Sequence, residues 1–225
     1  MPEELNIKPL RCRHCGGELP VMGQLVTFRC PSCLNYWVLA EEGLEPTFVY
    51  RAVPEGAGGA PAAGGELFLP FWTIEVDGAD VRRQMETAAP GLGGQVGWIE
   101  SGDSLKIYIP AFRSPNTYAY LKVGRLLTRL QPSFGIVRSE GDGRPVLCAL
   151  RVNEAVALVD FIFFAALPDS VQRRGETLEK VRLHPTRPPR LIEFPFTARG
   201  ASLVSVIGGF WISGRLVESA ASLVE

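Results

Sequence analysis

Cys12-Arg13-His14-Cys15-Gly16-Gly17 and Cys30-Pro31-Ser32-Cys33 decide how this chain is read, with fourteen residues lying between Cys15 and Cys30. Each Cys-x-x-Cys pair lets one tight turn aim two thiolates at a common point. Fourteen residues suffice for a hairpin that brings two such turns together, and four thiolates so placed form the tetrahedral sulfur shell that zinc prefers. A closed four-sulfur shell leaves no position for water, so the metal is expected to stabilise a fold rather than activate a nucleophile. Three other readings use the same residues: a disulfide framework, a thioredoxin-like redox pair, and iron in a rubredoxin-like shell. A redox pair requires a βαβ context, which the surrounding pattern lacks. Residues 1–10 carry no apolar run and read as neither secretory signal nor membrane anchor, so the expected location is cytoplasmic. His14, between two ligands, reads as a bystander in its turn.

The stretch over residues 10–40 resembles a zinc ribbon, a small β-module. The resemblance implies one structural Zn2+ held by Cys12, Cys15, Cys30 and Cys33. It also brings in one function class, nucleic-acid binding in transcription or replication machinery. Residues 18–22 and 24–29, turned at Gly23, are expected as the hairpin, with 35–40 as a third strand and Trp37 or Tyr36 covering it. We place the ribbon at 1–45, a strand and a linker at 46–65, and an α+β body at 66–225. The linker rests on residues 54–65, which contain only Pro, Glu, Gly and Ala and have no large side chain to offset the entropy of ordering.

The whole chain has 225 residues, 46% hydrophobic and 21% charged, with a net charge of -1. That suits one good core plus a small module. Near-neutrality argues against broad electrostatic capture of nucleic acid or anionic lipid. Cys148, between Leu147 and Ala149, reads as a buried small hydrophobe.

The body opens with strand signals. Residues 67–76 and 79–86 flank Asp77-Gly78 and suggest a hairpin, and residues 95–100 and 104–109 suggest a second. Leu67-Phe68-Leu69-Pro70-Phe71-Trp72 is echoed by Ile107-Tyr108-Ile109-Pro110-Ala111-Phe112. Proline cannot donate to a ladder, so these strands are expected at an edge, bend or bulge. A duplicated unit would then set Phe71, Trp72 and Phe112 in an aromatic groove for a partner; the alternative is an ordinary β-rich core.

A helix is expected over 116–130, with Ala119, Val123, Leu126, Leu127 and Leu130 on one face. Lys122, Arg125 and Arg129 form a basic stripe opposite, a solvated face or a surface for an acidic partner or phosphate backbone. The run 153–167 is apolar on every side except for Asp160. At about 22 Å it is too short to span a bilayer, and it reads as a central core helix or a surface docked on another subunit. Strands are expected over 177–184, 190–197 and 201–207, with a short helix after Gly214.

Reaction machinery is hard to find. Of two histidines, His14 lies inside the knuckle, and His184 has no nucleophile context such as Gly-x-Ser-x-Gly around it. No phosphate-loop pattern is present. The expected function is a non-catalytic zinc-binding interaction or scaffold protein, joined to a protein partner or a second copy within an assembly. The alternative is a nucleic-acid-binding ribbon protein, for which Arg11, Arg13 and Arg29 are the candidate contacts.

Overall fold

The computed structural model describes residues 9–20, 25–40, 42–55, 66–88, 90–91, 96, 98–99, 104–139, 144–145, 148–173 and 180–217. These form an α+β fold with two sheets, one of three strands and one of eight. In the small sheet, β1 (Thr27–Arg29) pairs antiparallel with β2 (Tyr36–Ala40), which pairs in turn with β3 (Gly43–Thr47). The described partner of β1 is β2. Glu18 makes only an isolated bridge to Arg11, and residues 21–24 lie outside the described set.

Only Phe48 separates β3 from β4 (Val49–Val53), and β4 belongs to the large sheet. The small sheet therefore runs directly into the body. The strand expected within 46–65 is β4, with Pro46 and Thr47 still in the small sheet, while residues 56–65 of the expected linker lie outside the described residues.

The large sheet is organised on the twelve-residue β5 (Glu66–Asp77). One side of β5 pairs antiparallel with β9 (Arg190–Arg199) through residues 66–73. The other side pairs with β6 (Ser104–Pro110) through 71–77 and briefly with β8 (Arg144–Pro145). Beyond β9 lie the parallel neighbour β4 with its partner β7 (Gly135–Arg138), and the ribbon of β10 (Ser202–Ser205) and β11 (Trp211–Ser213).

The two proline-bearing strands are thus neighbours, with Phe71 opposite Pro110. Pro70 sits inside β5, where its pairing with β6 ends. Its carbonyl accepts the Ala111 N–H at 2.9 Å. In an extended strand a residue's N and C=O point to the same side, so its ring nitrogen faces the Ala111 carbonyl, which instead accepts the Ala149 N–H at 2.6 Å and is not left unpaired.

Two expected hairpins are corrected. Residues after Asp77 form helix α1 (Gly78–Ala88) rather than a return strand. Asp77 Oδ1 accepts the Asp80 N–H at 2.9 Å as a helix cap, and Val81 and Met85, four residues apart, both enter the core. Val96 and Ile99 are joined by a turn and packed into the same core, so the described residues before β6 give it no hairpin partner.

The remaining helices are α2 (Thr117–Leu130), α3 (Val152–Ala157), α4 (Val159–Ala166) and α5 (Asp169–Gln172). The expected helix over 153–167 is broken at Leu158, whose N–H bonds the Ala155 carbonyl three residues back. Residues 180–184 form no strand and 214–216 make a single 3-10 turn; residues 177–179 of the expected strand and 218–225 of the expected terminal helix lie outside the described residues.

Alternation along β5 builds two cores. Trp72, Ile74 and Val76 meet α1, α3 and α4, whereas Leu67, Leu69 and Phe71 meet α2 and the segment around Ile207 and Phe210. Phe71, Trp72 and Phe112 are all buried in these cores. Phe71 packs edge-on against Phe112 at 5.8 Å and Phe194 at 5.2 Å, and the Trp72 indole donates to the Leu150 carbonyl at 2.8 Å. All three aromatics of the expected groove therefore lie inside the cores, Phe71 and Trp72 on a mid-sheet strand.

Candidate metal centre

The two cysteine turns are built alike. In the first, the Gly16 N–H donates to the Cys12 carbonyl and the Cys12 N–H to the Gly17 carbonyl; in the second, Leu34 donates to Cys30 and Cys30 to Asn35. Both turns need a left-handed residue four positions after the first cysteine. Gly16 supplies φ 75° without steric cost, while Leu34 adopts φ 62°.

This repetition brings the four sulfurs of Cys12, Cys15, Cys30 and Cys33 within 4.8 Å of one another. Cys12 and Cys33 are 3.6 Å apart and Cys15 and Cys30 3.4 Å. A tetrahedron with metal–sulfur bonds of ~2.3 Å has edges of about 3.8 Å, so the cluster fits a four-thiolate metal ion. Burial opposes charge on Cys12, but the N–H groups of Cys15 and His14 outweigh it and lower the thiol to about 6. At Cys30 the N–H groups of Cys33 and Ser32 likewise overcome burial and lower the thiol. Asn35 Nδ2 lies 3.5 Å from Cys33 Sγ as a further donor. His14 is exposed and outside the cluster.

Around the sulfurs, Leu19, Phe28, Trp37 and Leu44 form the small module's own buried cluster. Phe28 and Trp37 are cross-strand partners. Trp37 thus covers the ribbon as expected, while its neighbour Tyr36, on the other face of β2, belongs to the core of the body.

There Tyr36 meets a polar cluster that sequence reading missed. Its hydroxyl lies 3.3 Å from Ser139 Oγ and 3.5 Å from Glu193 Oε1. Ser139 donates to Glu193 at 2.8 Å, and Arg51 Nη2 reaches Ser139 at 3.4 Å and Glu193 at 3.5 Å. The Arg51 guanidinium lies 3.7 Å from the centre of the Phe68 ring. Arg51 is 7% exposed and Glu193 2%. Burial raises the carboxyl of Glu193 and the phenol of Tyr36 above their usual ranges. The sequence held one signal for this cluster: a single charge inside each of two otherwise apolar strands. Nearby, the Val26 and Thr27 N–H groups both donate to the Cys148 carbonyl, at 3.0 and 3.3 Å.

The other expected residues are scattered. Lys122 and Arg129 are exposed on α2 and Arg125 is half-buried; Lys122 Nζ lies 4.5 Å from the Tyr118 ring. The buried face of α2 is rotated from the expected one, with Gly124 and Thr128 inside beside Val123 and Leu127, and Leu130 outside. Asp160 accepts the Leu183 N–H at 3.2 Å, and His184 is exposed. A cleft of about 520 Å³ involves Trp98, Lys106, Arg129 and Phe134, and one of about 220 Å³ lies at the seam beside Tyr36, Phe48, Arg138 and Ser139. Neither is lined by Asp160 or His184.

No described helix is long and apolar enough to cross a membrane. Comparison with family models, curated proteins and solved structures finds no match for this chain. What its own geometry supports is a zinc-ribbon-like four-cysteine module set against an α+β body.

Proposed function

We propose that this is a non-catalytic interaction protein whose ribbon is stabilised by one Zn2+ at Cys12, Cys15, Cys30 and Cys33, and which binds a protein partner. One observation carries the reading. Where the small sheet joins the body, Leu34 and Phe48 are 46% and 57% exposed; farther along β7, opposite Ala52, Ile136 is 40% exposed, and among the described residues β7 is paired on one side only. An unpaired strand edge flanked by large apolar side chains is a surface on which an extended partner segment gains both ladder bonds and burial. Zinc is assigned on the donor set, because four closely placed thiolates suit a soft, tetrahedral ion without an open coordination position.

The test is photo-crosslinking of the full chain from position 48 in its native host, with light scattering on the purified protein. A discrete crosslinked partner that is lost in Ile136→Asp supports the reading. A strict monomer that crosslinks to nothing sinks it, and salt-dependent retention on DNA or RNA would favour the nucleic-acid alternative.

A further inference from the structure

We infer that metal occupancy is transmitted to the body through Tyr36: a filled four-cysteine site holds the ribbon against the large sheet, and docking in return tightens the hold on the metal. The inference rests on the metal reading proposed above.

The route is short. Cys33 is followed by Leu34 in its left-handed turn and by Asn35, whose carbonyl accepts the Cys30 N–H and whose side chain reaches Cys33 Sγ. The metal turn thereby fixes the residue immediately before Tyr36. Tyr36 then faces away from Trp37, and its hydroxyl enters the buried cluster of Ser139, Glu193 and Arg51.

Two physical arguments make this a latch rather than a passive contact. With so few buried apolar side chains, the ribbon lacks the core to hold β1 and β2 in place alone, so metal binding and ordering of β2 are one event. Apolar contact by Val26 and the Tyr36 ring would tolerate sliding. A buried hydroxyl, carboxyl and guanidinium are satisfied together only in one docked register. Coupling free energies are reciprocal, so whatever the metal contributes to docking, docking must contribute to metal affinity.

That reciprocity supplies the test, because Ser139 lies in the body and its side chain bonds Tyr36, Arg51 and Glu193 rather than a cysteine. Zn2+ affinity of the full chain is measured by competition with a chromophoric chelator, alongside amide exchange with and without Zn2+. Ser139→Ala should bind Zn2+ about fivefold more weakly, the usual worth of one hydrogen bond. Removing Zn2+ from the wild type should speed exchange at Val26 and Thr27 about tenfold or more while Ala111, bonded to Pro70 deep in the body, keeps its protection. Wild-type affinity in Ser139→Ala, unchanged exchange at Val26 and Thr27, or equal loss at Ala111 would each overturn the latch. Protection at Ala111 also verifies that the variant is folded; if it is not, Tyr36→Phe takes its place. A chain that binds no Zn2+ at all defeats the metal assignment instead.

Discussion

The side-chain amide of Gln131 holds both backbone groups of Lys106, accepting its N–H at 3.1 Å and donating to its carbonyl at 2.7 Å. One turn earlier, Thr128 Oγ1 accepts the Tyr108 N–H at 3.0 Å. Thr128 of α2 and Gln131 just after it therefore act as the missing neighbour of β6, and its outer edge is closed to pairing with another chain.

Thr128 is fully buried, so Thr128→Val, which keeps shape and removes the acceptor, leaves the Tyr108 N–H unsatisfied. The expected cost is about 1–3 kcal/mol in urea unfolding, with Thr128→Ser much milder. Equal stability of Thr128→Val and wild type would refute the edge-closing role.

Gly124 lets α2 approach β6. A Cβ at Gly124 would stand 2.6 Å from the Tyr108 carbonyl oxygen and 2.7 Å from Pro110 Cδ. Alanine favours an isolated helix by about 1 kcal/mol over glycine, but strain of about 1–3 kcal/mol wins where neither neighbour can move freely. Gly124→Ala should therefore lower the thermal midpoint; a rise would show that the helix can back away.

Metal content should follow the sulfur cluster. Elemental analysis should give one zinc per chain, none tightly held in Cys30→Ser, and an unaltered value in Cys148→Ala. The Cys148 thiol is raised to about 11 by burial and lies outside the cluster. Metal retained after loss of Cys30 would require a different ligand set.

Glu193 makes stability depend on pH in a stated direction. Its carboxyl is raised by burial, against Ser139 and Arg51, so the folded chain holds this proton more tightly than the unfolded one. The resulting stabilisation is complete below the unfolded value of about 4.3 and is lost as pH rises through the folded value. The unfolding free energy of wild type minus that of Glu193→Gln should fall with rising pH over this window; a flat difference contradicts the assignment.

Asp77 caps α1 through the Asp80 N–H. Asp77→Ala should cost about 0.5–2 kcal/mol and Asp77→Asn a fraction of that, read as shifts in the denaturation midpoint. Equal losses in both would indicate that charge at the helix start matters more than the hydrogen bond.

The same Asp77-Gly78 dipeptide shows where local reading ended. Turn chemistry and helix capping use the same residue types, and Val81 and Met85 chose between them only because a core lay four residues apart on one side. The Pro70 and Pro110 echo was likewise visible as a pattern, but not the fact that Pro70 faces Ala111 at the end of the β5–β6 ladder while Pro110 faces α2 on the outer edge of β6, where its carbonyl accepts the Tyr120 hydroxyl. The letters of Phe71, Trp72 and Phe112 admit both a core and a groove, since burial depends on what covers a strand and not on its own letters.

By itself the sequence determined the four-cysteine module, because ligand spacing within a turn is a local property, and it determined the mixed α+β character through apolar periodicity. Only the tertiary structure decided that Tyr36 turns from the ribbon into the body, and that Arg51, Ser139 and Glu193, up to 142 residues apart, meet there. A buried charge is tolerated only where distant strands deliver its partners, and no local pattern encodes which strands those are.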